Sequence, residues 1–286
     1  MNNIILSPQN NEILAPEILN QAKQALAESG WVLLRGFHIN LTSFSQVTKK
    51  LSRQLTFDPA REYSNDSTQK VNAGTAAVGL HIENGNTPLP PDLVAFYSAK
   101  SAVSGSQTTV CDGVEIYQHM SDDLKAIFAK PITVSRTLPS KLWRQYVADQ
   151  HPAISTSSEV NEQHLQDLNA LAPNQQAILH SDDSLTYHLA VSPCINAAFS
   201  GKLAFANAIL GPSFNYQAPK LILSNGEEIS EQLKQELTTL AEQFTHEVQW
   251  QDGDLVLIDN KRVMHGRREI HGDLSQRQLY IGMGCL

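Results

Sequence analysis

The chain has 286 residues, with 29 acidic and 21 basic side chains and a formal net charge of −8 at neutral pH. Hydrophobic residues make up 41 % and charged residues 17 % of the sequence, a balance that supports a packed core and excludes an intrinsically disordered chain. The sequence has no clustered basic patch and no run of about 18 apolar residues, so we expect neither nucleic-acid binding nor a membrane span.

The first segments along the chain predict a helix, a strand and a second helix. Residues 17–29 carry apolar side chains at helical spacing, and Gly30 follows as a plausible C-terminal stop. Residues 31–37 form a short, apolar, β-prone run that predicts a buried strand. Residues 41–55 again have helical spacing, with apolar side chains along one side.

Most later segments predict strands rather than helices. Amphipathic helices are expected at 115–128 and 229–245, and short strands at 93–97, 108–111, 131–134, 203–206, 255–258 and 279–283. Strands and helices do not alternate regularly, and no glycine-rich phosphate loop follows a strand. The order therefore favours a mainly β sandwich or barrel with peripheral helices over a doubly wound sheet. Residues 141–200 are polar, and we interpret part of this stretch as a mobile lid or insertion over the site.

The N-terminal sequence and the cysteines indicate a cytoplasmic protein. Residues 1–8 contain no basic region and no long apolar run, so a secretory signal is not expected. Cys111, Cys194 and Cys285 are far apart and odd in number, which fits reduced thiols better than a disulfide framework or a zinc site.

The candidate chemistry begins with a His-x-Glu triplet, His81 and Glu83. In an extended segment, residues two apart point to the same side, so both side chains can face one ion. His265 follows the predicted strand at 255–258. Two histidines and one carboxylate form the facial triad of non-haem iron(II) oxygenases, which leaves coordination positions open. By itself the triplet is weak evidence, because a polar turn before Pro88 would have the same sequence.

The surrounding sequence makes the triad specific. LHIEN (80–84) is followed by PPDL (90–93), and GDLVLIDN (253–260) is followed by HGR (265–267). Together with GWVLLRGF (30–37), these segments resemble the taurine-dioxygenase-like family of 2-oxoglutarate oxygenases over most of the chain.

That resemblance implies one domain spanning residues 1–286, with a distorted double-stranded β-helix (a cupin-like jelly roll). It also implies iron(II), 2-oxoglutarate and dioxygen as cofactor and co-substrates, with His81, Glu83 and His265 as the metal ligands and catalytic centre. The implied reaction is oxidation of an unactivated C–H bond of a small molecule, most simply hydroxylation, with release of succinate and carbon dioxide. Desaturation and cyclisation are variants of the same chemistry.

The resemblance also implies a 2-oxoglutarate pocket. Thr108 aligns best with the threonine that binds the co-substrate carboxylate, and Thr109 is a one-residue alternative. The family places an arginine a little over ten residues after the distal histidine, and Arg277 lies at that distance from His265. A planar guanidinium suits this role because it can donate two parallel hydrogen bonds to a carboxylate.

Glu83 departs from the aspartate that most of the family carries. Glutamate is found in branches similar to clavaminate synthase and the amino-acid hydroxylases, which favours an amino acid or a small natural-product intermediate as substrate. Halogenating relatives have glycine or alanine at this position, where chloride then binds. A glutamate fills that place, so halogenation is not expected.

Other polar groups near these motifs have several interpretations. We expect Asn84 and Asn86 to line the substrate pocket, and Arg267 and Arg268 either to contact an acidic ligand or to form surface ion pairs. A second histidine and aspartate group, the 180–188 cluster, consists of His180, Asp182, Asp183 and His188. It fits a rival metal site, part of the pocket or, preferably, a solvated loop.

The competing functions are a jelly-roll binding module without turnover and a cupin-like isomerase or hydrolase that uses no co-substrate.

Overall fold

A computed structural model describes residues 4–6, 13–72, 74–151, 153–211 and 217–286, with backbone only for the first of these ranges. The α-helices are α1 (Pro16–Ser29), α2 (Leu41–Leu51), α3 (Gly113–His119), α4 (Asp122–Phe128), α5 (Ser140–Gln150), α6 (Glu162–Leu171) and α7 (Glu231–Glu242). The strands are β1 (Ile4–Leu6), β2 (Trp31–Arg35), β3 (Gln54–Thr56), β4 (Gln69–Lys70), β5 (Val78–His81), β6 (Leu93–Lys100), β7 (Ser104–Gly105), β8 (Thr108–Asp112), β9 (Ile132–Leu138), β10 (Gln175–Leu179), β11 (Leu185–Val191), β12 (Cys194–Asn196), β13 (Leu203–Phe205), β14 (Lys220–Ile222), β15 (Thr245–Val248), β16 (Leu255–Asp259), β17 (Val263–Arg267), β18 (Ile270–His271) and β19 (Gln278–Cys285). Among the helices described, none has the length and apolar character that crossing a membrane requires.

The N-terminal helix ends where its sequence predicts. Gly30 adopts a left-handed conformation (φ 79°) and its N–H donates to the carbonyl of Leu26, which closes the last turn. A side chain at this position would also collide with Val263. The chain then enters β2 directly, and the predicted helix, stop and strand are all confirmed.

The larger sheet has the strand order β1-β2-β16-β6-β19-β3, with β4 also paired to β19. A second sheet has the order β15-β8-β17-β5. Their inner faces pack together in one apolar core, to which Val94 and Val256 contribute from the larger sheet and Val110 and Val263 from the second. Helices α1 and α2 cover the outer face of the larger sheet. This arrangement confirms the mainly β class with peripheral helices.

Three predicted helices are shorter than expected. The helix predicted at 229–245 is α7 (Glu231–Glu242), and local groups end the other two early. The helix predicted at 115–128 was wrong as one element: the backbone becomes extended at Met120 and Ser121, and the Ser121 hydroxyl accepts from Leu124 N–H to start α4. Helix α2 ends at Leu51, and Leu55 lies in β3 opposite Gly284 of β19. Strand pairing at this edge replaces the helical turn that periodicity alone predicted.

The 141–200 stretch is largely regular structure. It contains most of α5 together with α6, β10, β11 and β12. Strands β10 and β11 join β9 and β14 in a third sheet of order β10-β11-β9-β14. Its buried residues belong to the same core as those of α3, α4 and α7. The role of this stretch as a lid stays a prediction.

Helix α2 packs so closely on β19 that the contact predicts a measurable steric effect. A methyl group on Gly282 would lie 2.5 Å from Oγ1 and 2.8 Å from Cγ2 of the fully buried Thr48. We expect Gly282→Ala to lower the free energy of unfolding by roughly 1–3 kcal/mol through overpacking. Urea denaturation of both single variants and the double variant with Thr48→Ala measures the coupling. Removing both colliding atoms should make the double variant more stable than additivity predicts. Simple additivity would contradict the steric explanation.

Candidate metal centre

The pairing of β5 with β17 brings the two predicted histidine ligands together. These strands are antiparallel, and His265 is the direct cross-strand partner of His81. Their ring centroids are 4.7 Å apart. The pairing becomes irregular immediately after His265, between this residue and Arg267. Residues 184 positions apart in the sequence thus lie side by side because of strand register.

Glu83 lies just beyond the end of β5, where the side chain of Asn260 holds its backbone. The Glu83 N–H donates to Oδ1 of Asn260 at 2.9 Å, and Nδ2 of Asn260 donates to the Glu83 carbonyl at 3.1 Å. The same Nδ2 donates to the Pro91 carbonyl at 2.9 Å. Asn260 is fully buried, so these bonds satisfy its amide. The sequence predicted Asn260 only as the last residue of the GDLVLIDN motif, and its contact with the backbone of Glu83 was not predicted.

The three predicted ligand side chains have the geometry of a metal site. One nitrogen or oxygen from each of His81, Glu83 and His265 lies within 4.8 Å of the others. Oε1 of Glu83 is 3.4 Å from Nε2 of His265 and 3.9 Å from Nε2 of His81. Adjacent ligands about 2.1 Å from an octahedral ion lie about 3 Å apart, so small movements would complete such a site.

The hydrogen bond at Nδ1 of His81 favours the tautomer that binds a metal through Nε2. Its Nδ1 lies 2.8 Å from the Gly79 carbonyl, an oxygen that can only accept. Nδ1 therefore carries the proton, and Nε2 presents its lone pair towards Glu83 and His265. The donor set of two imidazoles and one carboxylate fits iron(II).

Electrostatics keep these groups in the protonation states of metal ligands. Burial, together with His265, lowers the pKa of His81 to about 4. Burial would raise the pKa of Glu83, but the Arg61 charge, a hydrogen bond from His265 and the charge of His81 outweigh it and hold that pKa well below its usual range. At neutral pH the first histidine is neutral and the carboxylate is ionised.

Arg61 is a site residue that sequence reasoning missed. Its Nη2 donates to Oε1 of Glu83 at 2.8 Å, and its Nε lies 3.4 Å from Oδ2 of Asp58. All three side chains are largely buried. The residue lies 22 positions before Glu83, outside every recognised motif, so no sequence signal marked it.

The predicted co-substrate residues lie on the cavity that contains the triad. The hydroxyl of Thr108 accepts from the indole N–H of Trp250 at 3.0 Å, and its own proton remains available to a ligand. Thr109 does not line this cavity but a second one. Nη1 of Arg277 donates to the Val71 carbonyl at 2.9 Å, while its buried Nη2 has no hydrogen-bond partner among the described residues. Burial, followed by repulsion from Arg267, lowers the pKa of Arg277 to about 10.

The predicted substrate contacts also line this cavity, which has a volume of about 210 Å³. Asn84 has a positive φ of 53° and donates to the Phe57 carbonyl at 3.3 Å. The backbone carbonyl of Asn86 accepts from the hydroxyl of Tyr187 at 2.9 Å. Arg267 is buried and donates to backbone carbonyls at 3.0 and 2.6 Å, which fixes its guanidinium at the wall.

The remaining predicted groups lie elsewhere. Arg268 pairs with Glu242 and, at 2.7 Å, with Glu247, as expected for surface ion pairs. The 180–188 cluster does not line the cavity around the triad. Within it, Asp183 pairs with Arg144 at 2.8 Å, and Nε2 of His180 is 2.8 Å from the hydroxyl of Thr186. In the described part of the chain, His81, Glu83 and His265 form the one group with metal-binding spacing.

The Arg61 ion pair predicts a stability effect that depends on metal. Arg61→Gln leaves the buried Glu83 carboxylate without its cation, and we expect the metal-free protein to lose about 3 kcal/mol of unfolding free energy. Because the pKa of Glu83 is lowered on folding, this contribution is complete above its ordinary value of 4.5 and is lost progressively as the pH falls from there through the much lower pKa of the folded state. Saturating cobalt(II) should recover part of the loss, because the metal charge replaces the guanidinium.

Urea denaturation at pH 7, with and without cobalt(II), and at about pH 3 without metal measures these effects. Arg61→Lys is the matched control, since it keeps the charge and should retain more stability. An equal loss with and without metal, or an equal loss at both pH values, would contradict this electrostatic role.

Comparison with known proteins agrees with the geometry. The sequence profile of the family described as "Taurine catabolism dioxygenase TauD, TfdA family" matches residues 6–283. The chain is 22 % identical over 291 aligned positions to the dapdiamide synthesis protein DdaC of Enterobacter agglomerans, covering 90 % of this chain and 84 % of that protein.

Two solved structures have a similar fold. A taurine dioxygenase from Burkholderia xenovorans superposes with a TM-score of 0.61 at 16 % identity, over 96 % of this chain and 82 % of the other. The AAD-2 protein in complex with Mn(II) and N-oxalylglycine superposes with a TM-score of 0.59 at 12 % identity, over 99 % and 94 % of the two chains. At these identities the superpositions establish the fold alone. Because the family profile spans nearly its whole length, the chain belongs to the taurine catabolism dioxygenase TauD, TfdA family.

Proposed function

We propose that this protein is an iron(II)- and 2-oxoglutarate-dependent dioxygenase that hydroxylates an unactivated C–H bond of a small metabolite, with release of succinate and carbon dioxide. Enzymes of its family use iron(II), 2-oxoglutarate and dioxygen. The observation that carries the proposal is the convergence of His81, Glu83 and His265 on one cavity. Their donor set, with a neutral His81 and an ionised Glu83, suits iron(II).

The proposed roles follow from the contacts of each side chain. His81 and His265 would hold iron(II) through Nε2, and Glu83 through its carboxylate. Arg277 would bind the distal carboxylate of 2-oxoglutarate, because its buried Nη2 has no hydrogen-bond partner among the described residues. The Thr108 hydroxyl would donate to the same carboxylate. It accepts a hydrogen bond from the Trp250 indole, and this bond leaves the hydroxyl proton available. The iron and its co-substrates supply the oxidising power, and the protein orients the C–H bond and excludes water.

The cavity supports a small-molecule substrate, with Asn84, Asn86 and Arg267 on its wall. The glutamate ligand and the name of the relative DdaC, a dapdiamide synthesis protein, favour an amino acid or a natural-product intermediate. Glu83 occupies the ligand position that halogenation would require for chloride. Desaturation and cyclisation use the same site with a different substrate position.

We extend the proposal to fold and location. The two facing sheets are proposed to form a distorted double-stranded β-helix, in one domain. Part of residues 141–200 is proposed to form a lid or insertion over the site, because α5, α6 and β11 contribute to the cavity wall. A cytoplasmic location is supported by three free thiols, of which the buried Cys111 has its pKa raised to about 12 by burial.

The first test of the proposed function measures succinate formation in the absence of a known substrate. We expect metal-free protein, given iron(II), 2-oxoglutarate, ascorbate and air, to form succinate slowly. His265→Ala should reduce this to the background without enzyme, because it removes a ligand. Succinate is measured by mass spectrometry, with omission of iron as a further control. If neither succinate nor a visible charge-transfer band on anaerobic addition of 2-oxoglutarate to the iron-loaded protein is found, the competing binding-module function is favoured.

Arg277 should determine the affinity for 2-oxoglutarate. Loss of charge-assisted hydrogen bonds in Arg277→Gln is expected to raise the Kd by about 30- to 150-fold, equivalent to about 2–3 kcal/mol. Anaerobic titration of the charge-transfer band measures this, and iron binding should persist. Arg268→Gln removes the same charge from a side chain outside the cavity and should leave the Kd unchanged. Equal effects of the two substitutions would exclude a specific role for Arg277.

A further inference from the structure

Two segments of the cavity wall belong to different parts of the fold. One is the turn before β4, which contributes Asp58 and Arg61, and the other is helix α5. The turn is anchored to β4, because the backbone N–H and carbonyl of Asp58 both bond to the buried side chain of Gln69. Helix α5 packs in the apolar core that contains the third sheet. A contact between these segments therefore fixes the separation of the two walls.

A hydrogen bond joins the two segments near the surface. The hydroxyl of Tyr63 donates to Oδ1 of Asp149 at 3.0 Å. Tyr63 follows Arg61 by two residues, and Asp149 lies in the last turn of α5. Tyr63 is 42 % exposed, whereas Arg61 is largely buried, so this bond lies closer to the solvent than the ion pair with Glu83. We call the Tyr63–Asp149 bond the latch.

The N-terminal end of α5 is attached to the third sheet by several hydrogen bonds. Arg144 donates from Nε to Oδ2 of Asp183 at 3.0 Å and from Nη2 to Oδ1 at 2.8 Å. The indole N–H of Trp143 donates to the carbonyl of the same aspartate at 2.9 Å. Asp183 lies in the turn between β10 and β11. Paired, charge-assisted hydrogen bonds are strong and directional, and we call this pair the Arg144–Asp183 anchor.

The C-terminal end of α5 contains buried polar atoms without hydrogen-bond partners among the described residues. They are Oδ2 of Asp149 and Nε2 of Gln150. Burial, with the nearby charge of Asp58, raises the pKa of Asp149, although hydrogen bonds from Gln145 and Tyr63 oppose this shift. A buried polar atom that lacks a partner costs free energy, and contact with water would remove this cost. The closed position of this end is therefore opposed by desolvation and held by the latch.

The cavity side of α5 extends over both halves of the helix. Its side chains on the cavity wall are Leu142, Trp143, Tyr146 and Val147. Tyr146 and Val147 are the further from the anchor, so a rotation of α5 about the anchor would displace them most. Val147 is 1 % exposed in the latched position. Such a rotation would therefore uncover a part of the wall that solvent barely reaches.

We propose that α5 is a gate of the cavity: its C-terminal half swings outwards about the Arg144–Asp183 anchor, and the Tyr63–Asp149 latch holds it closed. The inference rests on the proposed function and concerns access to that same site. Opening of one wall requires less free energy than global unfolding, and its closure excludes water from the cavity. Tyr63 and Asp149 are thereby positioning residues, which act on the site through α5.

Labelling of a buried thiol in the metal-free protein tests the gate. Val147→Cys places the thiol on the cavity side of α5, and methyl methanethiosulfonate is the small molecule that must pass the gate to reach it. Peptide mass spectrometry separates this position from the three native cysteines. We expect Tyr63→Phe and Asp149→Ala each to accelerate labelling at position 147 about tenfold, because each removes a hydrogen bond to a carboxylate. The double variant should match the single variants, since both changes remove the same bond.

Two variants and one native thiol are the controls. Asp149→Asn keeps an acceptor for the Tyr63 hydroxyl, and its rate should stay within about twofold of that with Val147→Cys alone. Tyr117→Phe removes a hydroxyl of a residue that does not line the cavity and should leave the rate unchanged. Cys111 is fully buried in β8, so its labelling reports global unfolding and should not accelerate.

The gate is overturned if the latch variants label no faster than Val147→Cys alone, if Tyr117→Phe accelerates labelling as much as they do, or if Cys111 accelerates in parallel. Equal acceleration by Asp149→Asn and Asp149→Ala would overturn the role of the latch. The measurement contains neither metal nor co-substrate, so its result is separate from the proposed function. Absence of both succinate and the charge-transfer band would remove the proposed function and leave the labelling result unchanged.

Discussion

The register between β5 and β17 is the constraint on which the rest of the site depends. It places His265 directly opposite His81, and the Asn260 side chain then fixes the backbone of Glu83 beside them. A slip of one residue would turn every side chain of a strand to the opposite face. Packing on both faces of β17 resists such a slip, because Val263 belongs to the core between the two sheets and Met264 to the apolar cluster on the other face. Core packing and metal geometry are therefore set by the same strand pairing.

Charge is the second constraint, because the site places a carboxylate where water is largely excluded. Arg61 neutralises Glu83 and is itself supported by Asp58, whose backbone N–H and carbonyl both bond to the buried side chain of Gln69. A bound cation would act on the same carboxylate oxygen. Stability of the metal-free protein and affinity for metal are consequently linked through Glu83, and changes at Arg61 affect both.

The triad and part of the cavity wall around it belong to different layers of the fold. The triad and the co-substrate candidates Thr108 and Arg277 belong to the two facing sheets or adjoin them. Apolar side chains that line the same cavity, among them Leu138 and Leu185, belong to the third sheet and its helices. Changes in the third layer can alter which molecule is held without changing the metal ligands, because the strands that position those ligands lie in another sheet.

The sequence by itself determined the features that depend on short spacing: the apolar period of α1, the stop at Gly30 and the His-x-Glu triplet. Its motifs also made His265, Thr108 and Arg277 candidates for the site. It also favoured a mainly β fold, because many short apolar runs are separated by turn residues. Only the tertiary structure decided which distant groups meet. The clamp by Asn260 and the ion pair of Arg61 with Glu83 depend on packing between separate segments of the chain. Local periodicity carries no information about such contacts, since the same residues would have the same pattern with any partner opposite them.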